Sequence, residues 1–284
     1  MGVATFIPTV WAAALLTGLH KNLVLAQPGV VSTEYEGEIT KQGDRVKINF
    51  IGDITVFDVE RNEDLPDPEP LSTAATYLDI DQAKGFNFQV DDADKVQARG
   101  DLIEKAMSQA SYGVRDKADQ SIADLYTDAA AANLIGSDAS PVTVTTPDDA
   151  YDLLVDLGTK LTEANVVKEG RWAAIPPWYY GLLQKDKRFV GVGSMASDQV
   201  LRNGVIGMAA GFTLLESNNI RHTNGTKYKI MAGHPIAINY ADQILSVEAY
   251  RMEKRFADAV KGQHVYGRKV TRPQALAVLT ANKS

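Results

Sequence analysis

The chain has 284 residues, 45% hydrophobic and 23% charged, which is ordinary for a soluble globular protein with room for a sizeable core. Its 36 acidic residues against 29 basic leave a net charge of -7, a balance that gives no sign of the clustered basic surface nucleic-acid binding favours. The absence of cysteine excludes disulfide scaffolds and thiolate metal sites, and the four histidines, His20, His222, His234 and His264, never fall at ligand spacing.

At the amino end, residues 10–16 are apolar, but no Lys or Arg precedes them as a signal peptide requires. The run stops at Gly18, well short of the roughly 20 residues of a membrane span, so no membrane partner is expected. Trp11, Leu15, Leu19 and Leu23 share one helical face. They predict a short amphipathic helix on an arm, with that face buried on its own domain or on a neighbour. From Val30 the pattern turns to strands at 36–40, 45–51 and 53–57, short, β-branched and punctuated by Gly43 and Gly52. The acidic tract 58–70 follows, spaced by prolines that cannot donate to a strand ladder, and reads as a loop or extended limb. Strands return at 76–80 and 86–90, closing a long two-way β excursion with a charged tip.

Between 91 and 132 the apolar residues Val96, Ile103, Met107, Ala110, Val114, Ala118, Ile122, Leu125 and Ala129 recur at helical spacing after the first gap. Asp91, Asp92 and Asp94 stand where carboxylates favour a helix start. Asp101 with Lys105, and Arg115 with Asp119, pair charges on the outer face. The pattern predicts one helix of roughly 60 Å, a strut, with Gly100 and Gly113 the places where it would bend under a change of shape. Two shorter helices broken at Gly113 remain open, while the alanine-rich seam and unkept heptad speak against a coiled coil.

Residues 134–138 mark a stop. Thr146, Pro147 and Asp149 then open a second helix whose apolar face is Ala150, Leu153, Leu154, Leu157 and Leu161. Residues 171–175 read as a buried strand, and Pro176-Pro177 begins a short helix through Leu183. An apolar, glycine-rich stretch, 204–215, precedes a polar loop at 218–227 with an Asn224-Gly225 turn. Strands are expected at 228–231, 236–239, 246–254, 264–270 and 277–279. Helices and strands mix without a βαβ rhythm, so the class is α+β.

Chemical signals are weak. Gly191-Val-Gly193 lacks the buried strand that a dinucleotide loop needs, and neither a phosphate loop nor a nucleophile elbow occurs. Asp58, Glu60, Glu63, Asp64, Asp67 and Glu69 lack the remaining features of a calcium loop. Asn224-Gly225-Thr226 matches a glycosylation acceptor but means only a turn without secretion. No acid, base and nucleophile assemble, so no catalytic residue, cofactor or metal is expected, and the chain is not expected to be an enzyme.

The order of parts carries a resemblance. Gly43-Asp-Arg-Val-Lys-Ile-Asn49, Phe88-Gln-Val-Asp-Asp-Ala-Asp-Lys95 leading into the long helix, Pro176-Pro-Trp-Tyr-Tyr180 and Arg188-Phe189 belong to it. So do Asn203-Gly-Val-Ile-Gly207, Gly211-Phe212, Val265-Tyr-Gly-Arg-Lys-Val270 and Arg272-Pro-Gln-Ala-Leu276. Over nearly the whole chain this resembles the major capsid (coat) proteins of tailed double-stranded-DNA bacteriophages, with the Hong Kong 97-type fold.

The resemblance implies an N-terminal arm at 1–29, an extended E-loop with supporting strands at 30–90, and a peripheral domain at 91–145 and 246–284 built on a spine helix, 91–132. It places an axial domain at 146–245, with the loop 218–227 a candidate for pentamer and hexamer centres. It implies self-assembly into an icosahedral head in the bacterial host cytoplasm, with portal and scaffolding proteins, a decoration protein and packaged DNA as partners, and the virion as location. A negative shell suits that role, since packaging does not rest on tight DNA binding. Arg45, Arg61, Glu63, Asp64, Arg99, Lys105 and Arg115 are the candidate intersubunit charges, with Trp11 an arm contact. No long scaffolding extension precedes the arm, which implies a separate scaffold or a processed chain. The family's crosslinking lysine and asparagine cannot be placed, so a non-crosslinked shell is expected. An encapsulin-like compartment shell is the main rival, and a small-molecule enzyme with an unrecognised site the second.

Overall fold

The computed structural model describes residues 24–34, 43, 45–51, 73–91, 102–190, 207–254 and 257–283. Strand β1 (Arg45–Ile51) pairs antiparallel with β2 (Thr73–Asp79), from Arg45 opposite Asp79 to Ile51 opposite Thr73. Period-2 alternation puts Val46, Ile48 and Leu78 on one face, where with Ile80 they pack on Ala241 and Val265. The ribbon thereby gains the support that two strands lack alone.

β3 (Gln82–Asp91) follows, then helix α1 (Leu102–Ala123), β4 (Leu134–Ile135), β5 (Val142–Val144) and α2 (Pro147–Glu163). The chain continues through β6 (Trp172–Ile175), α3 (Pro177–Gln184), α4 (Lys187–Val190), β7 (Met208–Ala209), β8 (Phe212–Glu216), β9 (His222–Thr223) and β10 (Lys227–Gly233). It closes with β11 (Ile238–Arg251), β12 (Ala257–Val270) and β13 (Leu276–Lys283). One sheet runs β4-β13-β10-β6-β8-β7, with β5 on β13 and β9 on β10; another runs β11-β12-β3.

The larger sheet is buried on both faces. Trp172, Ala174, Met231, Leu276 and Val278 meet Val114, Ala118 and Ile122 of α1 together with Leu25, Val30 and Val31 of the amino-terminal segment. The alternate residues Ala173, Ile175, Ile230, Ala232, Ala277 and Leu279 meet Leu154, Leu157 and Leu161 of α2 and Tyr179 and Leu183 of α3. Such two-sided burial explains why these strands read as continuous apolar runs. Helix α2 starts as its sequence predicts: Thr146 Oγ1 accepts from the Asp149 N–H at 3.1 Å, and Asp149 Oδ2 from the Thr146 N–H at 3.0 Å.

Several expectations need correction. The strut helix is continuous through Gly113, which removes the two-helix alternative, but α1 ends at Ala123. Residues Asp124–Asp128 form a 3-10 turn, and Ala129 is extended. Tertiary bonds stop the helix: the Arg221 guanidinium grips the Asp124 carboxylate, and Ala130 N–H donates to Pro273 O at 3.1 Å. Asp91 ends β3 opposite Ala257 rather than opening a helix, and the expected helical residues 92–101, with Gly100, lie outside the described residues. Asp119 is not on the outer face but only 2% exposed.

The strands expected at 236–239 and 246–254 are one, β11, after a 3-10 turn at Pro235–Ala237 and with a register shift between Ile244 and Ser246. The strand expected at 264–270 is half of β12. Its first half, Ala-Asp-Ala-Val-Lys-Gly, hides its β character because Gly262 makes room for a ring: a Cβ there would lie 2.4 Å from Phe86 Cζ. β13, grouped by sequence with the strands of 246–284, pairs instead with β10 in the large sheet, as do β4 and β5 with β13. Pairing between distant strands leaves no local trace in sequence.

Candidate functional site

Of the eight candidate contact residues, Trp11, Arg61, Glu63, Asp64 and Arg99 lie outside the described residues, as does the side chain of Lys105. Arg45 stands at the ribbon's base. Its Nε donates to Asp79 Oδ1 at 2.6 Å and its guanidinium lies 5.2 Å from the Tyr77 ring centre, with both charged side chains more than half exposed. Arg115 lies 4.4 Å over the ring of Tyr112, itself 53% exposed on α1. The two arginines sit on separate elements. Each lies over a tyrosine ring of its own chain, a contact that steadies the guanidinium group.

The joints between elements were missed by sequence reasoning. Asp119 Oδ1 accepts from the N–H groups of Leu25 and Ala26, and Oδ2 from that of Val24, all at 3.1 Å. Burial pushes this carboxyl above its ordinary value, against the three N–H bonds and Arg115, which lower it. The clamp fastens the amino-terminal segment to α1. The helical wheel held a faint signal, because Asp119 lies three and four positions before the buried Ile122 and Ala123. Spacing from Arg115 suggested a surface pair instead.

At the far end of α1, Arg268 Nε donates to Ser121 O at 2.5 Å, and Arg221 binds Asp124 through two bonds. Lys229, 4% exposed, meets the Asp138 carboxylate, whose pKa it lowers, and lies 5.7 Å from the Tyr126 ring centre. In the β11–β12 layer His264 Nε2 is 2.9 Å from Asp242 Oδ2, which also accepts from Tyr240 Oη at 3.3 Å. Arg171, 6% exposed, donates to the carbonyls of Gly158, Val166 and Val167 and to the Thr162 hydroxyl. It closes the end of α2, where a cation suits the helix dipole.

These bonds tie segments together; they do not converge on an open reactive centre. Among the described residues no group of three or more His, Asp and Glu could hold a metal ion, and no helix is long and apolar enough to cross a membrane.

The model of the phage capsid protein family matches residues 74–279. A solved chain from Mycobacterium phage Che8 is 32% identical, with 88% of each chain covered and a TM-score of 0.70. The capsid structure of cyanophage P-SCSP1u is similar at 15% identity, with 87% of this chain and 85% of that one covered and a TM-score of 0.67. The virus-like particle from Pyrococcus furiosus is 15% identical over 98% of this chain and 100% of that one, with a TM-score of 0.57. No protein among the curated sequences matches the chain.

Proposed function

The chain belongs to the phage capsid protein family, and on that premise we propose that it forms the pentamers and hexamers of an icosahedral head enclosing double-stranded DNA. It is a structural major capsid protein that self-assembles into a shell, and it resides in the capsid of the virion. The 32% identity to the Che8 chain over 88% of both chains carries this reading. The compartment alternative draws only on the Pyrococcus likeness, which at 15% identity speaks for the fold alone.

In this reading the fold is of the Hong Kong 97 type. Residues 1–29 are the arm, 30–90 the E-loop with its strands, α1 the spine of the peripheral domain, and the large sheet with α2 and α3 the axial domain. The shell assembles in the host cytoplasm, through a separate scaffolding protein or from a processed chain, joins a portal and takes in DNA without sequence-specific contact. It has no enzymatic activity and no covalent crosslinks. The acidic composition of the segment between β1 and β2 supports a contact role: residues 52–72 hold seven carboxylates against Arg61 alone. Arg61, Glu63 and Asp64 there, Arg45 at its base, Arg99, Lys105 and Arg115 on the spine and Trp11 on the arm make the intersubunit contacts.

Electron microscopy of the expressed protein tests the shell, with closed particles expected; discrete small oligomers would overturn it. Charge reversal at Glu63 should cut particle yield and stability, and unchanged yield would remove that residue from the contact set. Particles boiled in detergent should run as single chains, whereas covalent ladders would refute the non-crosslinked shell.

A further inference from the structure

The turn between β9 and β10 carries a chemical arrangement that the shell role does not use. Asn224 and Gly225 have φ of 56° and 73°, and Thr226 N–H donates to Thr223 O at 3.3 Å, so the pair occupies the two central positions of a type I′ turn. That geometry accounts for the Asn-Gly sequence, but not for its neighbour. The backbone N–H of Gly225 donates to His222 Nδ1 at 3.2 Å. The imidazole is steadied by the ring of its cross-strand partner Tyr228, centre to centre 5.3 Å. Since Nδ1 accepts, the ring proton of the neutral imidazole belongs on Nε2. A lone pair is therefore aimed, within the reach expected of a general base, at the proton of the one backbone nitrogen that can attack the Asn224 side chain in a five-membered closure.

We propose that Asn224 is a site of spontaneous covalent modification: the Gly225 nitrogen closes on the Asn224 side-chain carbonyl carbon, assisted by His222, and the resulting succinimide opens to an aspartyl or isoaspartyl residue. The step balances without oxidant or reductant. The Gly225 N–Cγ bond forms as His222 Nδ1 takes the nitrogen's proton. The Cγ–NH2 bond then breaks, and the imidazolium returns that proton to the departing nitrogen, which leaves as ammonia. Water next adds across either carbonyl of the ring. Closure requires the peptide between Asn224 and Gly225 to rotate, and the exposed His222 side chain to follow the moving N–H as it does so. Gly225 permits this, because it carries no Cβ and faces open space, and because both residues are exposed at a turn closed by a long bond.

The product differs from the parent in charge and shape. A new carboxylate appears near Asp138, whose side chain accepts from Thr223 and whose backbone carbonyl accepts from Lys227 Nζ at 2.6 Å. The isoaspartyl form also adds one carbon to the main chain between β9 and β10.

The test is peptide mapping by mass spectrometry on the full chain and on assembled particles, incubated at neutral pH. The expected result is loss of one ammonia and then gain of one water on the peptide containing Asn224. In His222→Gln the folded chain should convert roughly a hundredfold more slowly, at the weak end of general-base effects. In denaturant, where the imidazole is no longer placed, wild type and variant should convert at the same rate, below that of the folded wild type. Three results would overturn the proposal: an Asn224 that does not convert, equal rates in folded wild type and His222→Gln, or a folded wild-type rate no higher than the unfolded one.

Discussion

The two faces of α1's surroundings are built on different chemistry. Beyond the large sheet, the layer between its strands and α2 and α3 is an apolar block: Leu154, Leu157, Leu161, Ile175, Leu183, Phe212, Ile230 and Leu279 are all fully buried. The buried Tyr179 Oη within it donates to Ala150 O at 2.6 Å. The layer that joins α1 to the amino-terminal segment and β11–β12 adds small and titratable residues to its apolar ones: Ser111, Ala118, Asp119, Ser121, Tyr240, His264 and Tyr266 are buried there beside Leu25, Ile122 and Ile238. The first layer gains stability from area removed from water, about 25 cal/mol per Å². The second also removes apolar area from water, and depends in addition on donors meeting acceptors, where each unmatched group costs about 1–3 kcal/mol. The apolar block should therefore be indifferent to pH, and the polar layer should answer to it.

The largest effect that would break this contrast is a cavity in the apolar block. Leu154→Ala should cost about 3 kcal/mol or more in denaturant unfolding of the unassembled chain, equally at neutral and acid pH. A cost that varied with pH would blur the distinction. Next comes the clamp. Asp119→Ala leaves the N–H groups of Val24, Leu25 and Ala26 without their acceptor and should cost about 2 kcal/mol. Amide hydrogen exchange should speed up at those three residues while that of β6 and β13 stays slow.

The sign of the pH effect at Asp119 sharpens the comparison. Because burial raises its folded pKa, the stability linked to its protonation is fully present below the unfolded value and is lost as pH rises through the raised one. Wild type should therefore gain on Asp119→Asn as pH is lowered through that window, and a difference constant with pH would refute it. At the cap of α2 the sign is opposite. The Thr146 hydroxyl, first among its partners, holds the Asp149 carboxyl below the usual carboxylate value, so that contribution exists above the ordinary value and fades as pH falls through the lowered one. Thr146→Ala should cost about 1 kcal/mol at neutral pH and less in acid. Smallest is Arg45→Ala, expected to change the stability of the unassembled chain by less than about 1 kcal/mol, since its pair with Asp79 is exposed. A larger loss in particle yield than in chain stability would locate the role of Arg45 between subunits.

The apolar block was the more legible of the two. The face Ala150, Leu154, Leu157 and Leu161, the Thr146 cap and the strand at 172–175 all follow from local rules of spacing and capping. The polar layer was not. Asp119 looked like half of a surface ion pair because its partners, three backbone N–H groups, come from residues more than ninety positions away. His264 and Asp242 fall 22 residues apart and meet only because β11 and β12 pair. The candidate contact residues were drawn from charge on elements expected to be exposed, and of these only Arg45 and Arg115 have described side chains.

The sequence by itself determined the α+β class, the helical repeat of α1 and α2, the β1–β2 ribbon around an acidic tract, the turn at Asn224-Gly225 and the likeness to coat proteins. Each of these is written in neighbouring residues, because dihedral preference, capping and apolar period act over a few positions. Only the tertiary structure decided where α1 ends, that β11 and β12 run fourteen residues each, that β13 joins the large sheet, and that Asp119 and His264 are buried. Those outcomes are fixed by partners distant in sequence: Arg221 and Pro273 stop the helix, Phe86 fills the space over Gly262, and β10 claims β13. A local pattern can say that a segment needs a partner, but the partner is chosen by which surfaces the whole chain leaves uncovered.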